Sequence, residues 1–268
     1  MNINEEDFAQ ATNDIDLSYC RAAIYSLLAL GFQPPTNEIL SRLLTPESQA
    51  SLAQAATLLY PERKTDLLSA IEALTKAGES DRGALISRYH FLFGHTARGE
   101  ITPYETEYGH EALFQQPQEL GDLMGFYRAF GLDMRAGTHE RPDHISCEFE
   151  FLMFLALKEA YALEHNDREM RQETGKAEIL FMRDHLGRFL PAFVGLLQRA
   201  DRSGFYGNLG ELCRRFVTAE ADRLQVPLGA ANLGLRPADD SRIPMACGSG
   251  ADCAAMPGAD MPEGAESV

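Results

Sequence analysis

Pro103-Tyr104-Glu105-Thr106-Glu107-Tyr108-Gly109 sets two phenol rings and two carboxylates into one short stretch of chain. A carboxylate accepts a forked pair of hydrogen bonds from a guanidinium, and an aromatic face attracts a cation, so Tyr104, Glu105, Glu107 and Tyr108 together suit an arginine-containing peptide. The plainer alternative is a loop pinned to the core through Tyr104 and Tyr108, with both acids in water. Further on come Gly125-Phe126-Tyr127-Arg128-Ala129-Phe130-Gly131-Leu132 and Arg141-Pro142-Asp143-His144-Ile145. In the first of these, Phe126, Tyr127 and Phe130 pack at a helix end with Gly131 at C′, and the Tyr127 hydroxyl wants a partner if buried. In the second, Asp143 or Ser146 can cap the helix that follows, with Glu148 and Glu150 complementing its dipole. Capping alone leaves His144 without a task, although an imidazole both donates and accepts near neutral pH.

Other chemistries find little support. A carboxylate-bridged di-metal site needs Glu-x-x-His on two helices, and Glu107-Tyr108-Gly109-His110 is the only such spacing, with its glycine in a loop. His139, His144 and Cys147 lack a recognised zinc-ligand spacing. No Gly-x-Ser-x-Gly, Walker loop or Gly-rich strand-to-helix turn is present, so no catalytic residues are assigned and the chain reads as a non-enzyme.

Composition narrows the class. Five cysteines, Cys20, Cys147, Cys213, Cys247 and Cys253, are odd in number and scattered, which favours a reducing compartment, the cytoplasm, over a disulfide framework. Cys247 and Cys253 could still pair as a redox couple. Residues 1–16 are acidic, with no basic stretch leading into an apolar run, so no signal peptide is expected. No uncharged stretch reaches the roughly 18 residues of a membrane span. With 24 basic against 40 acidic side chains the net charge is −16, which disfavours nucleic acid and anionic membrane and favours a cationic partner.

The elements that must position these residues are helices. Apolar residues recur at helical spacing and period-two alternation is missing, so the fold class is all-α: a single-domain bundle of about ten helices. Residues 1–17 read as a flexible N-terminus, with Ser18 capping a first helix that Gly31 and Pro34-Pro35 end. The helical domain covers 18–226, with segments near 47–60, 62–76, 80–93, 117–130, 143–164, 167–186, 188–200 and 205–226, and Pro191 falls in the first turn of its helix. Between them, 94–109 is the long loop without apolar periodicity. Residues 227–268, rich in Gly, Ala, Pro and Asp and without an aromatic residue, read as a disordered acidic tail.

The order and spacing of the three polar, aromatic segments over roughly 18–226 resemble the TorD/DmsD/NarJ family of chaperones for molybdenum redox enzymes. Within it they most resemble the branch serving type II dimethyl-sulfoxide-reductase-like enzymes, which carries a comparable Pro-Tyr-Glu-x-x-Tyr stretch. The resemblance implies a cytoplasmic chaperone that binds the apo catalytic subunit and its twin-arginine leader, holding export back until the molybdenum cofactor is inserted. It implies no stably bound cofactor, only transient contact with molybdopterin guanine dinucleotide through the client. It also implies no membrane insertion, and a monomer or a domain-swapped dimer. Carried over, it marks Tyr104, Glu105, Glu107, Tyr108, Tyr127, Pro142, Asp143 and His144 as client-contacting or hinge residues. The sequence departs from some family members in having no tryptophan. Two alternatives stand beside this reading: a nitrate-reductase-type chaperone for a client that is not exported, and a helical metal- or redox-sensing protein.

Overall fold

A computed structural model describes residues 5–94, 99–109, 115–134 and 140–236. Contacts divide the chain into Met1–Arg236 and Pro237–Val268. The second unit lies outside the described residues, and with it Cys247, Cys253 and most of the expected tail; His110 and His139 lie outside them too.

Ten α-helices and no strand form among the described residues: α1 (Glu5–Phe32), α2 (Asn37–Leu43), α3 (Pro46–Leu59), α4 (Lys64–Gly78), α5 (Arg82–Phe93), α6 (Gln115–Ala129), α7 (Ile145–Glu164), α8 (Arg168–Phe181), α9 (Gly187–Ala200) and α10 (Phe205–Leu224). Local chemistry sets many of the boundaries. Thr36, Thr45 and Asp81 accept from backbone N–H groups at the starts of α2, α3 and α5, and Pro46 occupies the first turn of α3. At the end of α6 the Gly131 N–H bonds the Arg128 carbonyl and the Leu132 N–H bonds the Tyr127 carbonyl, with Gly131 at φ 73°. That is the Schellman stop expected of a glycine at C′.

Long apolar faces then stack. α1 lies along α7, α10 against α9 and α4, and α3 bridges α1 and α4. At their junction Phe32 meets Phe193 edge-on at 5.4 Å and Tyr25 meets Phe216 at 5.0 Å, geometries that favour ring pairs beyond the area they bury. The segment Thr12–Phe32 is long and apolar enough to cross a membrane by length and composition, yet 56% of that window is buried inside the protein and it contains Asp14, Asp16 and Arg21. It is the core helix that α7 packs against.

Several sequence expectations change. Residues from Glu5 onward are helical, so the flexible N-terminus to residue 17 is replaced by a longer α1. Ser18 does not cap it: the Ser18 hydroxyl is mid-helix, donating to the Asp14 carbonyl and to Glu159. The helix ends at Phe32, as Gly31 with Pro34-Pro35 indicates, and Gly31 has a further role. A Cβ there would sit 2.8 Å from the Leu209 side chain, so its bareness lets α1 approach α10. The short α2 is an additional element. α8 and α9 are not separated by a break, because a π-helical turn, Met182–Leu186, carries one into the other.

Pro191 lies inside α9 rather than at its start. Lacking an N–H, it cannot bond the Gly187 carbonyl one turn back. The Gly229 N–H takes that carbonyl instead, at 2.9 Å. The ordered chain therefore continues past Val226. Residues 227–236 are docked, held by backbone hydrogen bonds that a composition-based reading does not register.

Candidate functional site

The loop 99–109 and the segment 140–145, far apart in sequence, are joined by an isolated antiparallel bridge between Tyr104 and His144. The Glu105 N–H bonds the Asp143 carbonyl and the Ile145 N–H bonds the Pro103 carbonyl, both at 2.9 Å. Tyr127 supports the same junction from α6, donating its hydroxyl to the Pro142 carbonyl at 2.8 Å. All eight residues singled out from the sequence thus meet in one place.

Their roles differ from the exposed acidic, aromatic loop that the residue types suit. Glu105, Tyr108 and Asp143 have no exposed surface, His144 is 1% exposed and Tyr127 5%. Tyr108 packs on Phe189 at 5.3 Å and donates to the Thr102 carbonyl, pinning the loop as the plainer alternative supposes. Glu105, however, is not in water. Arg188 donates to its Oε1 at 2.8 Å, and His185, from the π turn, stands 3.1 Å from its Oε2. Glu107, Tyr104 and Pro142 keep partial exposure.

Asp143 is not the helix cap. Its carboxylate is filled by the fork of Arg141, Nε at 2.9 Å and Nη2 at 2.7 Å, and by the Thr106 hydroxyl at 2.7 Å and the Thr106 N–H at 3.2 Å. Arg141 also reaches Glu107 at 3.3 Å and lies over the Tyr104 ring, 4.4 Å from its centre. The cap of α7 is His144, whose Nδ1 accepts from the Ser146 N–H at 3.2 Å and pairs with the Ser146 hydroxyl at 2.7 Å. Burial lowers the pKa of His144, favouring the neutral ring that capping requires. The same enclosure pushes the Cys147 thiol up to about 12, so it is not a ready nucleophile. No group of side chains able to hold a metal occurs among the described residues.

One acid has no such arrangement. Both carboxyl oxygens of Glu148 are buried without a hydrogen-bond partner. Burial, then the neighbouring charges of Glu105 and Asp143, raises its pKa well above the ordinary carboxyl value, which favours its protonated form. In sequence it looks like a first-turn acid matched to the helix dipole; in the fold that turn is sealed.

The arginines are what sequence reasoning missed. Arg141, Arg188 and Arg236 complete the cluster, and Arg236 forks onto Glu119 of α6 at 2.9 and 3.0 Å while donating to the Thr106 carbonyl at 2.6 Å. The available signal was a requirement rather than a motif: buried carboxylates in a packed site need cationic partners. The arrangement can hold guanidinium groups by stacking and forked bonding, and within the chain it does so with its own.

The architecture is that of an all-helical protein whose polar centre holds ion pairs, and comparison with known proteins gives it a family. The family model described as "Nitrate reductase delta subunit" matches residues 49–195, more than half of the chain. The perchlorate reductase assembly chaperone protein of Dechloromonas aromatica is 28% identical over 234 residues, 81% of this chain and 95% of the relative. The chlorate reductase assembly chaperone protein of Ideonella dechloratans is 32% identical over 194 residues, 67% and 91% of the two chains. The chaperone protein TorD of Vibrio cholerae is 26% identical over 202 residues, 74% and 88%. The chain belongs to this family, the TorD/NarJ family its three polar segments resemble. Its members are assembly chaperones and not catalysts.

Proposed function

We propose that this protein is a system-specific chaperone that binds the apo catalytic subunit of a molybdenum-dependent reductase of the dimethyl-sulfoxide-reductase type. It acts in the cytoplasm and performs no chemistry on its client. It recognises the client's twin-arginine leader and holds back export until the molybdenum cofactor is in place, touching molybdopterin guanine dinucleotide only through the client. The observation that carries this reading is the way Arg141 is held, its guanidinium stacked on Tyr104 and forked onto Asp143. A site that accommodates a guanidinium in this way has the ring, carboxylates and hydroxyl acceptor that a client arginine requires. Of the partly exposed members, Glu107 and Tyr104 make the client contact, while Pro142 and the buried Glu105, Tyr108, Tyr127, Asp143 and His144 hold the loop in shape.

The test is calorimetry with leader peptides carrying Arg-Arg or Lys-Lys, against wild type, Glu107→Gln and Tyr104→Ala. The expected result is tighter binding of Arg-Arg by wild type, with that preference reduced in both variants. Equal binding of both peptides by all three proteins would remove the leader from the proposal. The family description as a nitrate reductase delta subunit favours a second reading, a client that is not exported. In that case the chaperone binds the folded-body segments of an apo reductase subunit and neither leader peptide.

A further inference from the structure

The segment 227–236 turns at 230–233, and its last residues, 234–236, ending in an arginine, run along the loop that carries the candidate site. The Gly109 N–H donates to the Gly234 carbonyl and the Arg236 N–H to the Glu107 carbonyl, each at 2.8 Å, and Tyr108 and Leu235 form an isolated antiparallel bridge. This is strand addition on a small scale, in which main-chain bonds hold a peptide and a side chain gives it specificity. The specific side chain is Arg236, forked onto Glu119 and bonded to the Thr106 carbonyl. Gly109 is shaped for it: its φ is +125°, and a Cβ would approach the Arg236 Nη2 to 3.3 Å. At the other end Gly229 passes so close to α9 that a Cβ would sit 2.0 Å from the Arg188 carbonyl oxygen, on the turn that Pro191 leaves with a spare acceptor.

Leu228 and Leu233 pack part-buried against the core, and the rest of the segment is open. Leu235 is 38% exposed, and Pro227, Ala230, Ala231, Asn232 and Gly234 are exposed as well. A strap secured by a few main-chain bonds, one forked ion pair and two part-buried leucines belongs to the less stable part of a fold and opens without global unfolding.

We infer that Glu119, the Thr106 and Glu107 carbonyls and the Gly109 N–H form a receptor subsite for an extended, arginine-bearing peptide, and that residues 229–236 are its built-in occupant. The partner is an extended client segment with an arginine, which must displace Arg236 to enter. The identity of that partner as a leader rests on the proposed function; the subsite itself does not. The fold thereby sets a threshold: a segment able to form the arginine fork competes with the occupant, and one without it does not.

The test uses the full chain with Arg236→Pro, which removes both the guanidinium and the N–H to Glu107, and the double variant Arg236→Pro/Glu119→Gln. Thermal unfolding confirms that each is folded. A synthetic peptide of residues 229–236 is titrated first. It should bind Arg236→Pro at least tenfold more tightly than wild type and lose that gain in the double variant. An Arg-Arg leader peptide should gain about fivefold on the same substitution, and its Lys-Lys counterpart should not. If the chain's own peptide binds Arg236→Pro no better than wild type, or if the Glu119 change leaves the gain intact, the subsite is overturned. If the own peptide gains and the Arg-Arg leader binds neither protein, the subsite stands and the leader reading falls. Hydrogen exchange adds a check in the wild type: the Gly109 and Arg236 amides should exchange much faster than amides of α9, and exchange at the α9 rate would overturn the displaceable occupant.

Discussion

Glu220 and Glu105 are both carboxylates with no exposed surface, and each is answered by an arginine, but the surroundings are opposite in kind. Around Glu220 every partner comes from a helix or its end. Arg223 sits one turn away on α10 and also reaches Glu178 of α8, while Tyr25 of α1 and Tyr60 at the end of α3 donate their hydroxyls. Burial opposes the Arg223 charge, but Glu220 and Glu178 outweigh it and raise its pKa. Around Glu105 the partners are His185 of the π turn and Arg188 in the first turn of α9, but Glu105 itself sits on the loop 99–109, and both carboxyl oxygens of nearby Glu148 are without a hydrogen-bond partner. One network is anchored by elements that cannot move without unfolding the bundle. The other joins helical partners to a carboxylate on a loop whose main-chain bonds are few, which is where a site that must admit a partner lies. Buried ion pairs are weak evidence for stability in themselves; what they report here is which contacts are permanent.

The largest effect should come from breaking the helical network. Arg223→Met leaves Glu220 and Glu178 buried without their cation, and should cost about 3 to 5 kcal/mol in denaturant unfolding. Peptide binding per folded molecule should stay as in wild type, and a parallel loss of binding would erase the distinction between the two regions.

Arg141→Leu attacks the loop network in the corresponding way. Asp143 keeps its bonds from Thr106, so the loss should be smaller, about 2 to 3 kcal/mol. It should appear first as faster hydrogen exchange at Glu105, Thr106 and Ile145, with α1 and α10 unaffected. Uniform acceleration across the helices would mean the loop is as integral as the core.

Glu148→Met should stabilise, by about 1 to 3 kcal/mol at neutral pH, because it removes a buried carboxyl that nothing satisfies. The sign with pH follows from the raised folded pKa. Above the ordinary carboxyl value of 4.5 the unfolded chain releases this proton while the native state retains it, so this group lowers wild-type stability as pH rises. The gain of Glu148→Met should therefore be largest at pH 7 and shrink as pH falls toward that value. Urea unfolding across this range would reveal a flat or reversed trend if Glu148 has a charged role in the fold.

The smallest effect is reserved for the strap. Truncation after Val226 removes the Arg236 fork and the Gly229 bond to α9, and should lower stability by about 1 kcal/mol. A composition-based reading of residues 227–268 as wholly disordered expects no change, and a loss of several kcal/mol would make the strap part of the core.

How much of this was legible depends on the range of the interaction involved. The helices read well because apolar spacing acts within a turn or two. The Schellman stop at Gly131 read well for the same reason. The errors sit where a distant group overrides a local signal. Ser18 looked like a cap because its contact with Glu159 is invisible locally, and Pro191 looked like a helix start because its compensation comes from Gly229. Tyr104 to Tyr108 could be recognised as a polar, aromatic loop able to hold guanidinium groups, but not as one already holding them.

By itself, then, the sequence determined an all-helical chain with one long polar loop and a second motif at Arg141 to Ile145, since periodicity, capping and residue type are properties of near neighbours. Only the tertiary structure decided that Glu105 meets Arg188, 83 positions away, that Arg236 reaches Glu119 across 117, and that Glu148 meets nothing. The physical reason is that charge and burial act through space: a carboxylate's neighbours in the fold, rather than in the chain, decide whether it is solvated, paired or protonated.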